Sequence, residues 1–354
     1  MNDESVCYFG NADKKKIKLE FKPIIEGKED YPKTLYVKTE VRLDGQIINN
    51  TSEVHKAGKD KESGGYAGKK VFSFELESKI AQHNNIIITC FWSADGEGNW
   101  QQVMEYAPIV YTTLRQAAND QYGKKCNLDE HLLYFTCSLL PDFSEQAVFN
   151  AIWAKIKGLK LNTNDFGLNT GIPIGYYFFG NAAKNLEDLL VHNNGICNAF
   201  QDLMIKSLQT QGVSSIEKDI TFSNEEEFLV KSWTYSDNGT SGNTNYPHIN
   251  TYELSKYEPV FLSSGKYRWV GNPEVDRIPD SPHNLGGQNN NYPIANFYIH
   301  QIVEYNGRIY DPSYGKDFDD IDQWKDNSVD GVFIRDKIEL RDGTKANAWL
   351  IKKL

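Results

Sequence analysis

From about residue 15 to 114, apolar and polar positions alternate with a period of two. KIKLEFKPI, TLYVKTEVRL, KKVFSFELES and NIIITCFWSA each read as a strand with one buried and one solvated face. LDGQ, ESGGYAGKK and ADGEGNW, which lie between them, carry turn residues. QVMEYAPIVYTTL reads as the closing strand. Short alternating strands at this spacing predict an all-β, immunoglobulin-like sandwich over residues 1–114. His, Cys and carboxylates do not gather in this part of the sequence, which therefore reads as a binding or spacer module.

After residue 115 the period changes to that of a helix. NLDEHLLYFTCSLL opens with Asn127 and Glu130 at capping-box spacing, and Pro141 stops it. SEQAVFNAIWAKIKGLKL places Phe149, Ile152, Trp153 and Ile156 on one face, which reads as core. NAAKNLEDLLVH is a third helix. ICNAFQDLMIKSLQTQG is a fourth, amphipathic one, burying Phe200, Leu203, Met204 and Leu208, with Gly212 at its C-terminal cap. VSSIEKDITF then reads as a strand. Residues 236–293 form a long insertion, rich in Asn, Gly, Ser and Pro, with at most short strands near EPVFLSS and KYRWVG. NFYIHQIVEY and RIYDP flank Asn306-Gly307, a strong hairpin signal, and DGVFIRDKIEL and KANAWLIKKL flank Asp342-Gly343. Helices first and strands second within one region predict α+β for residues 115–354.

The bulk numbers narrow the function. The chain has 354 residues, long for a single core, in line with two domains. Its 48 acidic and 38 basic side chains give a net charge of −10, which argues against a nucleic-acid partner; KKK at 14–16 is too short to reverse that. No apolar run is long enough to span a bilayer. MNDESVCYFG lacks the apolar region of a signal peptide, so the expectation is a cytoplasmic protein or one exported without a cleaved leader. The five cysteines show no CxxC pair, so neither a disulfide framework nor a structural zinc site is expected.

Three residues carry candidate chemistry. Cys197 follows a glycine at the start of a predicted helix, where unpaired N–H groups and the helix dipole stabilise a thiolate. In the Asn306-Gly307 hairpin, Tyr305 should face Arg308, Ile302 should face Asp311, and His300 should face Ser313. His300 and Asp311 then lie on one face as diagonal neighbours, roughly 7–8 Å apart at the backbone. That reach suits an imidazole–carboxylate hydrogen bond, which fixes the tautomer and orientation of the ring. A cysteine at a helix start, with His and Asp on adjacent strands, is a layout for thiol-based acyl transfer.

LEDLLVHNNGICNAFQDLMIKSLQTQGV resembles the nucleophile segment of the transglutaminase-like superfamily, and HQIVEYNGRIYDPSYG resembles that family's His and Asp motifs. Ile302 stands where many relatives carry an aromatic residue, and the His–Asp hairpin is shorter than is common among them. The resemblance implies a papain-like α+β fold for residues 115–354. It also implies a Cys197–His300–Asp311 catalytic triad acting on protein or peptide amides, by transamidation, deamidation or hydrolysis, with no cofactor required; from the residues themselves, no metal site is expected. A non-catalytic surface or binding protein on the same scaffold is the alternative, as is a secreted effector that modifies a partner protein. Oligomeric state is left open.

Other residues invite weaker readings. His192, five residues before Cys197, reads as solvent-facing or capping rather than metal-binding. His248 and His283 lack a strand and carboxylate context. Asp317, Asp319, Asp320 and Asp322 lack the Gly and terminal Glu of a calcium loop and read as a solvated surface. GGQNNNYP, just before the His strand, reads either as a substrate wall or lid hinge, or as an ordinary flexible loop.

Overall fold

The computed structural model describes residues 6–9, 14–21, 34–49, 54–58, 70–77, 80–124, 126, 128–139, 144–177, 182–221, 227–230, 251–253, 258–261, 267–271, 286–290, 296–297, 299–340 and 345–353. Asn127, Pro141, His248 and His283 lie outside them, as does most of the insertion. The chain is α+β, with several antiparallel sheets and five described α-helices. It divides into two compact units. The first takes in residues 1–118, 125–149 and 210–213, and the second residues 119–124, 150–209 and 214–354.

In the first unit the alternating segments are strands: Lys14–Phe21, Thr34–Leu43, Lys70–Glu77 and Ile86–Ser93. Asp44 and Gly45 both have positive φ, at 50° and 80°, which is what a two-residue hairpin between Leu43 and Gln46 requires. Val41, Ile86 and Ile88 of one sheet share a core with Phe74 and Leu76 of another, so strands of separate sheets close on one apolar layer. The expected closing strand is instead two strands in different sheets. Gln101–Tyr106 pairs with Ile86–Ser93, whereas Val110–Thr113 pairs with Ala81–His83 and Val6–Phe9. Pro108, which has no N–H for a ladder, falls at the switch.

Helix α1 (Glu130–Ser138) belongs to the first unit. Its N-cap is Asp129 rather than Asn127: the Asp129 carboxylate accepts from His131 N and Leu132 N. Helix α2 (Glu145–Lys157) buries the expected face, with Ile152 and Ile156 at 0% exposure.

The second unit holds the candidate chemistry. Helix α3 (Leu186–His192) is capped by Asn185, and its Leu186 N–H also donates to Asp202 on helix α4 (Cys197–Thr210) at 3.0 Å. Helix α4 is buried on all sides but one. Only Asn198, Asp202 and Lys206, four residues apart, are partly exposed, and Asp202 pairs with Lys206 at 2.9 Å. The predicted apolar face, Phe200, Leu203, Met204 and Leu208, is wholly buried, and burial also reaches round to polar positions that composition alone would leave in solvent. Gln201 is one of these, and its amide finds a partner on the sheet below.

That sheet has four antiparallel strands in the order Ile216–Ile220, His300–Tyr305, Arg308–Asp311, Lys316–Phe318. A second sheet contains the long hairpin Val329–Leu340 with Lys345–Lys353. The insertion supplies the two short strands expected, Glu258–Phe261 and Tyr267–Gly271, and a third at Thr251–Glu253, all in this second sheet. The KDFDDIDQW stretch carries a helix that composition hides, α5 (Ile321–Ser328), capped by Asp320.

Candidate active site

The hairpin has the predicted register. Asn306 and Gly307 have φ of 50° and 79°, and Tyr305 pairs with Arg308 and Val303 with Tyr310. His300 and Asp311 therefore share a face, and His300 Nε2 lies 2.7 Å from Asp311 Oδ2 with both side chains at 0% exposure. Asp311 Oδ1 accepts from Ser313 N at 3.2 Å and Tyr314 N at 3.3 Å. Both oxygens of the carboxylate are thus held, one by the ring and one by its own turn.

With Nε2 engaged, Nδ1 is the remaining ring nitrogen, and it has no hydrogen-bond partner. Cys197 stands close enough to act on the ring. Burial pulls the His300 pKa down, but the Asp311 charge and hydrogen bond raise it, and Cys197 adds to the rise, so the net value is pushed up to about 10. The ring is sandwiched as well as bonded: Trp324 of α5 is stacked at 6.1 Å and 15°, with Phe297 at 4.8 Å and Tyr314 at 5.5 Å. Sequence reasoning missed all three aromatics, since their spacing from His300 follows no local period.

Cys197 opens a 14-residue helix, so its neighbours include the N–H groups that an α-helix leaves without internal acceptors. The thiol is 2% exposed and its Sγ donates to Asn198 Oδ1 at 3.6 Å. The residue two before it must be glycine: a Cβ on Gly195 would sit 2.7 Å from Leu189 Cδ1 and 2.9 Å from Ala199 Cβ. The glycine lets α3 and the first turn of α4 meet.

Gly175–Tyr176 pairs in parallel with Asn194–Gly195, which sets Tyr176 and Tyr177 beside the thiol. The Tyr176 hydroxyl is buried and has no hydrogen-bond partner. Burial, then the neighbouring Tyr314 and Cys197, hold its pKa well above the ordinary tyrosine value, so it stays a neutral donor. Tyr177 adopts φ of 51°, a left-handed conformation that a bulky side chain rarely takes, and donates its N–H to Gly195 O at 3.0 Å.

The chain matches no family model, no curated protein and no solved structure.

The remaining candidates resolve separately. His192 is exposed in the last turn of α3. Asp317 binds Lys157 at 2.7 Å and Arg308 at 3.2 Å, Asp319 binds Arg308, Asp320 caps α5, and Asp322 pairs with Lys325 at 3.5 Å, so all four clustered carboxylates already have partners. Among the described residues no group of His, Cys, Asp and Glu is arranged to hold a metal ion, and no helix is long and apolar enough to cross a membrane. In GGQNNNYP, residues 286–290 are buried or half-buried and bonded at every step, which is not the setting of a flexible loop.

Proposed function

We propose that the chain is a cysteine-dependent acyltransferase or amidohydrolase of transglutaminase-like type, with a papain-like arrangement of helix and sheet in its second unit. The observation that carries this reading is one buried histidine with Nε2 on a fixed carboxylate and Nδ1 left for a thiol at a helix start. His300 Nδ1 takes the thiol proton of Cys197, and the thiolate attacks the carbonyl carbon of a protein or peptide amide. N–H groups of the first turn of α4 stabilise the oxyanion. The C–N bond breaks as the imidazolium returns its proton to the departing amine, leaving a thioester on Cys197. Water or a second amine resolves the thioester, giving acid or exchanged amide. Asp311 orients the ring and balances its charge.

The test is a panel of glutamine-containing and peptide amides assayed for released ammonia, amine incorporation and cleavage. Wild type should act on at least one, and Cys197→Ala should lose about 10³-fold or more. Retained activity in Cys197→Ala rules out the thiol as nucleophile.

One observation favours a second reading. Cys197 is 2% exposed and His300 and Asp311 are wholly buried, as suits a non-catalytic protein that keeps the triad as part of its scaffold. Labelling of the thiol in the folded protein separates the two.

A further inference from the structure

Gln288 is wholly buried inside a segment that its Gly- and Asn-rich sequence marks as loop. Its N–H donates to Ser313 O at 3.2 Å, and its carbonyl accepts from Tyr176 N at 2.8 Å. Its side-chain Nε2 donates to Ile156 O at 2.5 Å and to Pro312 O at 3.2 Å. Ile156 lies in the last turn of α2, whose final carbonyls have no donor within the helix. Two carbonyl acceptors around one nitrogen also fix which way the amide points.

Gln288 thus joins three pieces of chain: the turn after Asp311, the end of α2, and the strand carrying Tyr176 beside the thiol. Its neighbours anchor the segment to other carbonyls. Asn289 Nδ2 donates to Leu161 O at 2.6 Å and Ile174 O at 2.8 Å, and Asn290 Nδ2 to Tyr176 O at 2.7 Å and Tyr177 O at 3.2 Å. The Asp311 carboxylate depends on Ser313 N and Tyr314 N for its second oxygen. Whatever holds Pro312 and Ser313 therefore holds the carboxylate against His300.

We propose that Gln288 is a positioning residue for the His300–Asp311 pair, clamping the Pro312–Ser313 turn so that the carboxylate keeps its place on the ring. This deepens the cysteine-enzyme reading and rests on it for its catalytic meaning, but its test reads the His–Asp pair alone. The groups that set the His300 titration are Asp311 on the adjoining strand and Cys197 on α4, and neither is altered by the variants below.

The experiment is NMR titration of the full chain labelled at histidine, with His300 identified by loss of its signal in His300→Gln. Gln288→Met keeps the length of the side chain and removes both donors. Its His300 midpoint should fall by about 1 or more from that of wild type, as expected when a carboxylate loosens from its partner. Asn289→Gly removes a different anchor of the same segment while accepting the local φ of 46°, and should lower stability without moving the midpoint. An unchanged midpoint in folded Gln288→Met overturns the proposal, as does an equal fall in Asn289→Gly. A wild-type midpoint near the ordinary value does so too, since there is then no held pair to position. Should Gln288→Met not fold, Gln288→Asn, one methylene shorter, carries the same test. Failure of the enzyme reading would show instead as absent amide chemistry and ordinary Cys197 labelling, with the His300 midpoints unaffected.

Discussion

Both oxygens of Asp311 are committed before any substrate arrives, one to His300 and one to its own turn. A carboxylate so placed fixes the ring and its charge together. Replacing Asp311 with Asn keeps the shape and removes the charge. His300 should then titrate well below its present value of about 10, moving toward the ordinary 6.5, as read by histidine NMR. A midpoint that stays near 10 in Asp311→Asn would assign the shift to something other than the carboxylate. This pair was legible in the sequence because Asn306-Gly307 sets the hairpin register, and register decides which side chains share a face. Gln201 and Gln288 were not legible. Their partners are main-chain carbonyls at Ile302, Ile156 and Pro312, remote in sequence, and a glutamine bonded to a distant carbonyl leaves no local pattern.

At the scale of elements, the cysteine helix and the histidine strand need a fastening between them. Gln201, one turn beyond Cys197, supplies it. Its Nε2 donates to Ile302 O at 2.8 Å, two residues beyond His300 on the same strand. Gln201→Leu would leave that carbonyl buried without its donor, a loss of about 1–3 kcal/mol. The urea midpoint should fall accordingly, and Cys197 labelling near neutral pH should slow because the thiol and imidazole no longer share a fixed spacing. A variant as stable as wild type would remove Gln201 from this role. Helices α1 to α4 were legible from apolar spacing, but α5 was not. Its sequence, IDQWKDNS, buries little besides Trp324 and Ser328, and depends on the Asp320 cap and on Trp324 seated against the His300 ring. Pro108 shows the converse: alternation continues through it, yet the missing N–H divides the run between two sheets.

Over the whole molecule, a histidine whose pKa is raised from 6.5 to about 10 ties stability to pH with a definite sign. The folded state holds a proton that the unfolded chain releases, so the His300 contribution is fully present below about pH 6.5. It declines as pH rises and is lost by about pH 10. Urea midpoints measured across that window should fall with rising pH in wild type and fall less in His300→Gln. Parallel curves would mean that His300 titrates at its ordinary value in the folded protein. The α+β class of the second unit and the all-β character of most of the first were readable from the change of hydrophobic period near residue 115. The use of insertion strands Thr251–Glu253 and Tyr267–Gly271 as parallel partners of the C-terminal hairpin was not, because parallel pairing depends on contacts far along the chain.

The most direct measurement is the alkylation rate of Cys197 by iodoacetamide against pH, read by mass spectrometry on the folded chain, with His300→Ala alongside. An ordinary thiol near pKa 8.5 is almost wholly protonated at about pH 6 and reacts slowly there. A wild-type rate that stays high at about pH 6, and drops in His300→Ala, is the expected result and marks a thiolate–imidazolium pair. A rate that follows an ordinary thiol, or no labelling at all while the protein stays folded, would contradict a working nucleophile at Cys197.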